Sequence, residues 1–271
     1  MGSGLRVARA RERLMLNTDE SILMVVLIVG GSLAFLAVLH RVWPTDRRRI
    51  HNELIGWQIS VLGTTYAVIV GFMLYAVWTS FQLAEVNAEA EANSLLSVVR
   101  CAQALPVDQR NKIRDLASQY VKIMLNEEWP AMTRLRVSPE SRRAITDLWA
   151  IVMQTQPQNT LEQVALDQTL SELRAMTEHR RIRQLQVSSD LPGILWAVLI
   201  IGAGVTIVSA CLFGSSNPRL QYVQVFMLAF LIALSLAAIA DINRPFQGSV
   251  HVSPAGFVHV REALDALASR Q

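Results

Sequence analysis

Asp241, Asn243 and Arg244 stand within four residues of one another, and Pro245, Phe246 and Gly248 follow at once. They close a run, 220–240, that holds no Asp, Glu, Lys or Arg. A carboxylate there has two uses. It can coordinate an ion, or it can pair with Arg244 one turn on. Arg244 can also bond the last carbonyls of a preceding helix. Pro245 stops a helix and Gly248 permits a sharp turn. The group reads as a structural clasp that docks the C-terminal segment on the cytoplasmic domain. Ion coordination by Asp241 is the sharper alternative. A second set is acidic: Glu85, Glu89 and Glu91, with no Lys or Arg until Arg100. Such carboxylates suit acid–base work or an acidic ring that favours cations. The plainer reading is a solvated helix face. His251 and His259 have no Cys or acidic cluster at ligand spacing, so no metal site is expected. No phosphate loop and no nucleophile elbow appear. Cys101 and Cys211 lie in unlike contexts and read as free thiols. Nothing calls for a cofactor, and the chain does not read as an enzyme.

The elements that position these groups follow from composition. Of 271 residues, 52% are hydrophobic and 17% charged, against about 25% charged in ordinary soluble domains. The net charge of +3 is too small to argue for nucleic acid. Four stretches lack any Asp, Glu, Lys or Arg: 21–40, 54–84, 191–218 and 220–240. A spanning helix needs roughly 20 mostly apolar residues, and backbone in hydrocarbon must bond to itself. Transmembrane helices are therefore predicted at about 22–40, 55–78, 193–213 and 221–240. The first reads as a signal anchor, because its apolar core is too long for a cleaved leader.

Four spans put both termini on one side. That side carries Arg6, Arg9, Arg11, Arg13, Arg174, Arg180, Arg181, Arg183 and Arg244. The other carries Arg41, Arg47, Arg48, Arg49 and Arg219. The balance favours both termini inside, with 79–190 also cytoplasmic. The cluster "RVWPTDRRR" (41–49) votes the other way.

From Ile55 to Leu105 there is no proline, and the last glycine is Gly71. The second helix is expected to run well past the membrane. Pro106 opens a helix to about Glu128. Ser138 caps the next, with Pro139 at its first position. Thr160 and Gln163 have capping-box form and open a helix to about Val187. Leu166, Leu170, Leu173 and Met176 form its apolar stripe. Asp190 caps the third span, and Ser253 caps a short helix whose apolar face is Phe257, Val260, Leu264 and Leu267.

No ionisable residue lies mid-membrane, which disfavours a proton-relay pump. Ser60, Gly63, Ala67 and Gly71 form a small-residue stripe that permits close helix contact. Thr65, Phe72 and Thr79 mark another face, with Ile69, Phe72 and Ala76 as its narrow apolar middle. In a ring of subunits that face could line a pore gated by dewetting. Ordinary packing is the plainer reading.

Three patches carry a resemblance: "GTTYAVIVGFMLYAVW" with "EAEAN" (63–78, 89–93), "LPGILWAVLIIGAGVTI" ending in "LFG" (191–207, 212–214), and "DINRPFQGSVHVSPAGF" (241–257). Together they resemble the bestrophin-like family of bacterial and plant membrane proteins, itself similar to bestrophin ion channels. The resemblance implies an oligomer, favouring a pentamer, with the pore lined by the second helix. The acidic residues after that helix lean toward cations.

The expectation is an all-α integral membrane protein with four transmembrane helices and a helical cytoplasmic domain between the second and third. Residues 1–20 form a basic N-terminal segment, 21–78 the first two spans, 79–190 the cytoplasmic domain, 191–240 the last two spans, and 241–271 a cytoplasmic C-terminal segment with a short helix. The expected partners are the lipid bilayer, permeant ions and further copies of the chain. The expected location is the bacterial inner membrane. The expected function is an ion channel of bestrophin-like architecture. The alternative is a non-conducting scaffold or sensor that signals through its cytoplasmic helices.

Overall fold

In the computed structural model, residues 2–188 and 190–269 are described, with the backbone alone for 2–19 and 46. The chain is an all-helical integral membrane protein; among the described residues there is no strand. In order the helices are α1 (Gly2–Val42), α2 (Thr45–Arg49), α3 (Asn52–Cys101), α4 (Val107–Ile123), α5 (Trp129–Met132), α6 (Pro139–Met153), α7 (Thr160–Val187), α8 (Gly193–Leu212), α9 (Pro218–Ile242) and α10 (Ala255–Ala268). Among the described residues four segments are long and apolar enough to span a membrane: Glu20–Val42, Asn52–Ala104 (which holds α3), α8 and α9. α3 runs unbroken through 50 residues, as a stretch without proline and rich in Ala, Leu and Glu should.

The chain divides into two compact units, 1–79 with 190–243, and 80–189 with 244–271. The first holds the spans. α1 packs along α9, and α8 packs on both. Its core is Leu36, Tyr66, Val77, Leu199, Ala203, Ile207, Val225, Ala229, Ile232 and Leu236. The Tyr66 hydroxyl donates to the Leu199 carbonyl at 3.1 Å. The Tyr66 ring lies on Gly202, where an added Cβ would sit 2.7 Å from a ring carbon. Small residues let these helices approach, because lipid offers no hydrophobic drive to bring them together. The start of α8 is tied to the end of α9: the Asn243 amide donates to Asp190, and the Leu191 N–H donates to Asn243 Oδ1 at 3.2 Å.

The second unit is a helical domain inserted between the second and third spans, completed by the C-terminal segment. Ala84, Ala88, Ala92, Leu95 and Val99 of α3 are buried in it, with Ile113 and Ala117 of α4, Leu148 of α6, Leu173 and Met176 of α7, and Phe257, Val260 and Leu264 of α10. α4 does not continue to Glu128. It gives way to a single π-helical turn, Met124–Glu128, before α5. Pro130 explains the break, since its ring would clash with the carbonyl four residues back and it offers no N–H.

The capping expectations divide. Ser138 Oγ accepts from the Glu140 N–H at 3.2 Å, and α6 starts at Pro139. α7 is capped one residue earlier than the Thr160/Gln163 pattern implied. Asn159 Oδ1 accepts from the Glu162 N–H at 2.9 Å, and the Glu162 carboxylate accepts from the Gln158 N–H at 2.8 Å. The same reciprocal logic operates, with Asn159 as the better acceptor. α8 begins after Pro192, with no side-chain cap at its first turn. Ser253 does not cap α10 either; its N-cap is Pro254, without a side-chain bond.

Candidate functional site

Two places hold the residues singled out by type and spacing, one in each unit. In the membrane unit the place is α3. Only 6% of its most apolar stretch is buried, against 39% for that of α9. Tyr66 and Val77 are buried and turn into the bundle. Thr65, Phe72 and Ala76 are exposed, with Phe72 66% accessible. Ile69 departs from that face: it is partly buried against the core cluster. Thr79 is half-buried, and its hydroxyl donates to its own helix, to the Tyr75 carbonyl at 2.9 Å. On the opposite flank Ser60, Ala67 and Gly71 are exposed, and among the described residues no atom beyond the local helix backbone lies within 4 Å of a Cβ added at Gly63 or Gly71. One span thus presents two uncovered flanks, one of small residues and one of hydroxyl and apolar residues.

In the second unit the place is a buried charge cluster. Glu91 does not belong to an acidic stripe. Glu85 and Glu89 are exposed, whereas Glu91 is fully buried. Its carboxylate meets Arg183 of α7 through both oxygens, at 2.6 and 3.2 Å. The Tyr120 hydroxyl of α4 donates to it at 2.5 Å. Arg183 also reaches Glu128 of the π turn at 3.4 Å. Glu128 accepts in turn from the Ser138 N–H at 2.6 Å and the Ser141 hydroxyl at 3.0 Å. The Arg183 guanidinium lies 5.8 Å from the centre of the Trp129 ring. Glu91, Glu128 and Arg183 are all fully buried. Burial alone would loosen the Arg183 proton, but Glu91 first, with Tyr120 and Glu128, together outweigh it, and the proton is held more tightly than usual. Burial, then the neighbouring Glu91 charge, pushes the Tyr120 hydroxyl well above its ordinary range. The π turn matters here, because π turns re-aim side chains, and this one carries Glu128 and Met124 into the cluster.

Arg183, Glu128 and Tyr120 escaped the reading of types and spacing. A sign was present: Glu91 falls in register with Ala84, Ala88 and Leu95, and Arg183 continues Leu173, Met176 and Arg180 at three-to-four spacing. A charge in an apolar register calls for a buried partner.

The C-terminal motif splits between the units. Asp241 lies in the last turn of α9 in the first unit, and Arg244 opens the second unit's C-terminal segment. Phe246 is buried edge-on against Trp129, with ring centres 6.0 Å apart. Gln247 donates to the Thr133 carbonyl at 2.8 Å. Gly248 takes φ 84°, which a side chain rarely adopts. The Val252 N–H returns to the Pro245 carbonyl at 2.7 Å, and the Trp129 indole N–H donates to the Val252 carbonyl at 3.2 Å. Trp129 thus takes Arg183, Phe246 and Phe257 around one ring system.

A family model described as a Bestrophin-like domain matches residues 26–257. The crystal structure of a bacterial bestrophin homologue from Klebsiella pneumoniae superposes with a TM-score of 0.66 at 13% identity, covering 92% of this chain and 98% of the other. A single-residue variant of that homologue gives 0.68 at 13% identity, covering 92% and 99%. A crystal structure described only as a membrane protein variant gives 0.67 at 14% identity, covering 92% and 98%. No curated protein sequence matches.

Proposed function

The chain belongs to the bestrophin-like family, and from that premise we propose that it is an oligomeric ion channel whose pore is lined by α3. The carrying observation is that α3 is the least covered of the four spans within its own chain. A spanning helix with two open flanks suits a ring of copies. The Gly63–Gly71 flank allows close backbone approach, and the other flank leaves Thr65, Phe72 and Ala76 to face a neighbour or the passage. Apolar constrictions of this kind gate by dewetting. Glu85 and Glu89, exposed just beyond the span, supply negative charge for a lean toward cations. Glu91 contributes none, because Arg183 neutralises it inside the domain. Family resemblance favours a pentamer in the bacterial inner membrane, with both termini and the helical domain cytoplasmic.

The test is the reversal potential of the purified protein in planar bilayers under a salt gradient. The reading expects a reproducible current with a cation-side reversal, moving toward zero in Glu85→Gln/Glu89→Gln. Silence across voltage, pH and calcium, from protein shown to be folded and oligomeric, overturns it.

A further inference from the structure

The arginine cluster 41–49, which ran against the charge count, has no part in the channel reading. In the structure it divides into one buried and several exposed side chains. Arg48 is fully buried. Its Nη1 donates to the Cys211 carbonyl at 2.7 Å and its Nη2 to Thr45 Oγ1 at 3.3 Å. It is a charged cap on the last turn of α8. Asn52 bonds both the N–H and the carbonyl of Gly214, at 2.8 and 2.7 Å. A Cβ on Gly214 would lie 2.8 Å from the Arg49 nitrogen, so only glycine admits this approach. The 43–51 connection is thereby fixed against the 213–217 connection.

Arg47 and Arg49 on the 43–51 connection, and Arg41 and Arg219 at the adjoining ends of α1 and α9, are all exposed. Among the described residues none of the four makes an ion pair. In the sequence only Asp46 and Glu53 stand against the five arginines of 41–53 and 213–219. Beside them Ile50 is 81% exposed and Trp57 70% exposed. An indole and an isoleucine left open at the end of a span belong at headgroup depth, where an amphipathic ring meets both apolar chain and water. Guanidinium groups at that depth match phosphate bidentately. A soluble acidic partner would satisfy the arginines but leave the apolar side chains uncovered. A zwitterionic lipid would cover the apolar side chains but leave the charge unbalanced.

We infer that this end of the membrane unit is a binding surface for anionic phospholipids, their phosphates drawn to the exposed Arg41, Arg47, Arg49 and Arg219, and their glycerol and upper acyl regions covering Ile50 and Trp57. Arg48 is a positioning residue that acts through the fold of the connection. The site does not rest on the channel reading or on which face of the membrane the connection occupies.

The test is native mass spectrometry of the full chain in detergent, titrated with dioleoyl phosphatidylglycerol or dioleoyl phosphatidylcholine. The wild type is expected to retain the anionic lipid at least tenfold more strongly. A basic side chain at the surface contributes about fivefold, so Arg41→Gln/Arg47→Gln/Arg49→Gln should fall to the level of the zwitterionic lipid. Arg134→Gln/Arg136→Gln/Arg142→Gln, three exposed positions in the second unit, should keep the preference. Equal retention of the two lipids by the wild type overturns the inference. So does a preference that survives the first triple variant, or that the second triple variant abolishes equally. Inorganic phosphate that displaces the lipid as effectively as the lipid itself would assign the surface to a free anion instead. Should the triple variant melt early, the single variants Arg47→Gln and Arg49→Gln carry the same comparison.

Discussion

Arg183 meets both carboxylate oxygens of Glu91, a residue 92 positions earlier, with neither side chain accessible to solvent. The pair fixes α7 against α3 at a depth where water cannot replace either partner. Burying two charges is costly, and the gain is realised only while both remain. Breaking the pair is therefore the severe perturbation. Glu91→Ala or Arg183→Ala should each destabilise the folded protein by about 3–5 kcal/mol. The double variant should cost less than the sum, because only Glu128 is then left without its cation. Denaturant unfolding of the four proteins in a double-mutant cycle measures the difference. Additive costs would show that the pair is not coupled.

Tyr120 contributes a second bond to the same carboxylate. Tyr120→Phe should cost about 1.5–3 kcal/mol, as a hydrogen bond to a charged group does. It should also change the alkaline limb of stability. The Tyr120 hydroxyl ionises well above its ordinary value in the folded state, so between the two values the unfolded chain binds fewer protons than the folded one. The stability it contributes is fully present below about pH 10 and is lost as pH rises toward the folded value. Melting temperatures from pH 8 to 11 should therefore fall more steeply in the wild type than in Tyr120→Phe. Parallel curves would remove Tyr120 from the alkaline linkage.

Leu135 adopts φ 56° just past the end of α5. The Arg136 N–H bonds back to the Ala131 carbonyl at 3.1 Å, closing a Schellman-type end in which glycine is the favoured residue. A leucine in that conformation costs roughly 1–2 kcal/mol, and its side chain is 48% exposed, so little packing offsets the cost. Leu135→Gly should raise stability by about 1 kcal/mol, read as an upward shift in melting temperature. A fall would mean that Leu135 makes a contact in the assembled protein.

The two capping candidates at the start of α7 are separable. Asn159→Ala should cost about 1 kcal/mol, since it removes the acceptor for the Glu162 N–H. Thr160→Ala should lie within about 0.5 kcal/mol of the wild type, as substitutions away from such features usually do. The reverse ranking would restore the cap read from the Thr160/Gln163 spacing.

Much of this protein is written locally. Four uncharged runs longer than a bilayer is thick become four spans, because backbone in hydrocarbon has no other way to satisfy its polar groups. The absence of proline between Ile55 and Leu105 makes α3 one long helix, and Ser138–Pro139 starts α6 where a cap and a fixed φ belong. Each outcome depends on residues a few positions apart. The failures were also local in origin: Asn159 and Thr160 compete within one turn, and Pro130 reaches back into α4 as a π turn that no spacing rule announces. What only the tertiary structure decided is which charges are inside. Glu91 reads as one of three similar carboxylates until Arg183 and Tyr120 are brought to it from other helices. Arg48 reads as one of three consecutive arginines until the end of α8 arrives above it. A charge in an apolar register announces a buried partner but does not say which residue it is. Its meaning is set by a partner distant in sequence, and only the fold supplies the distance at which the two attract.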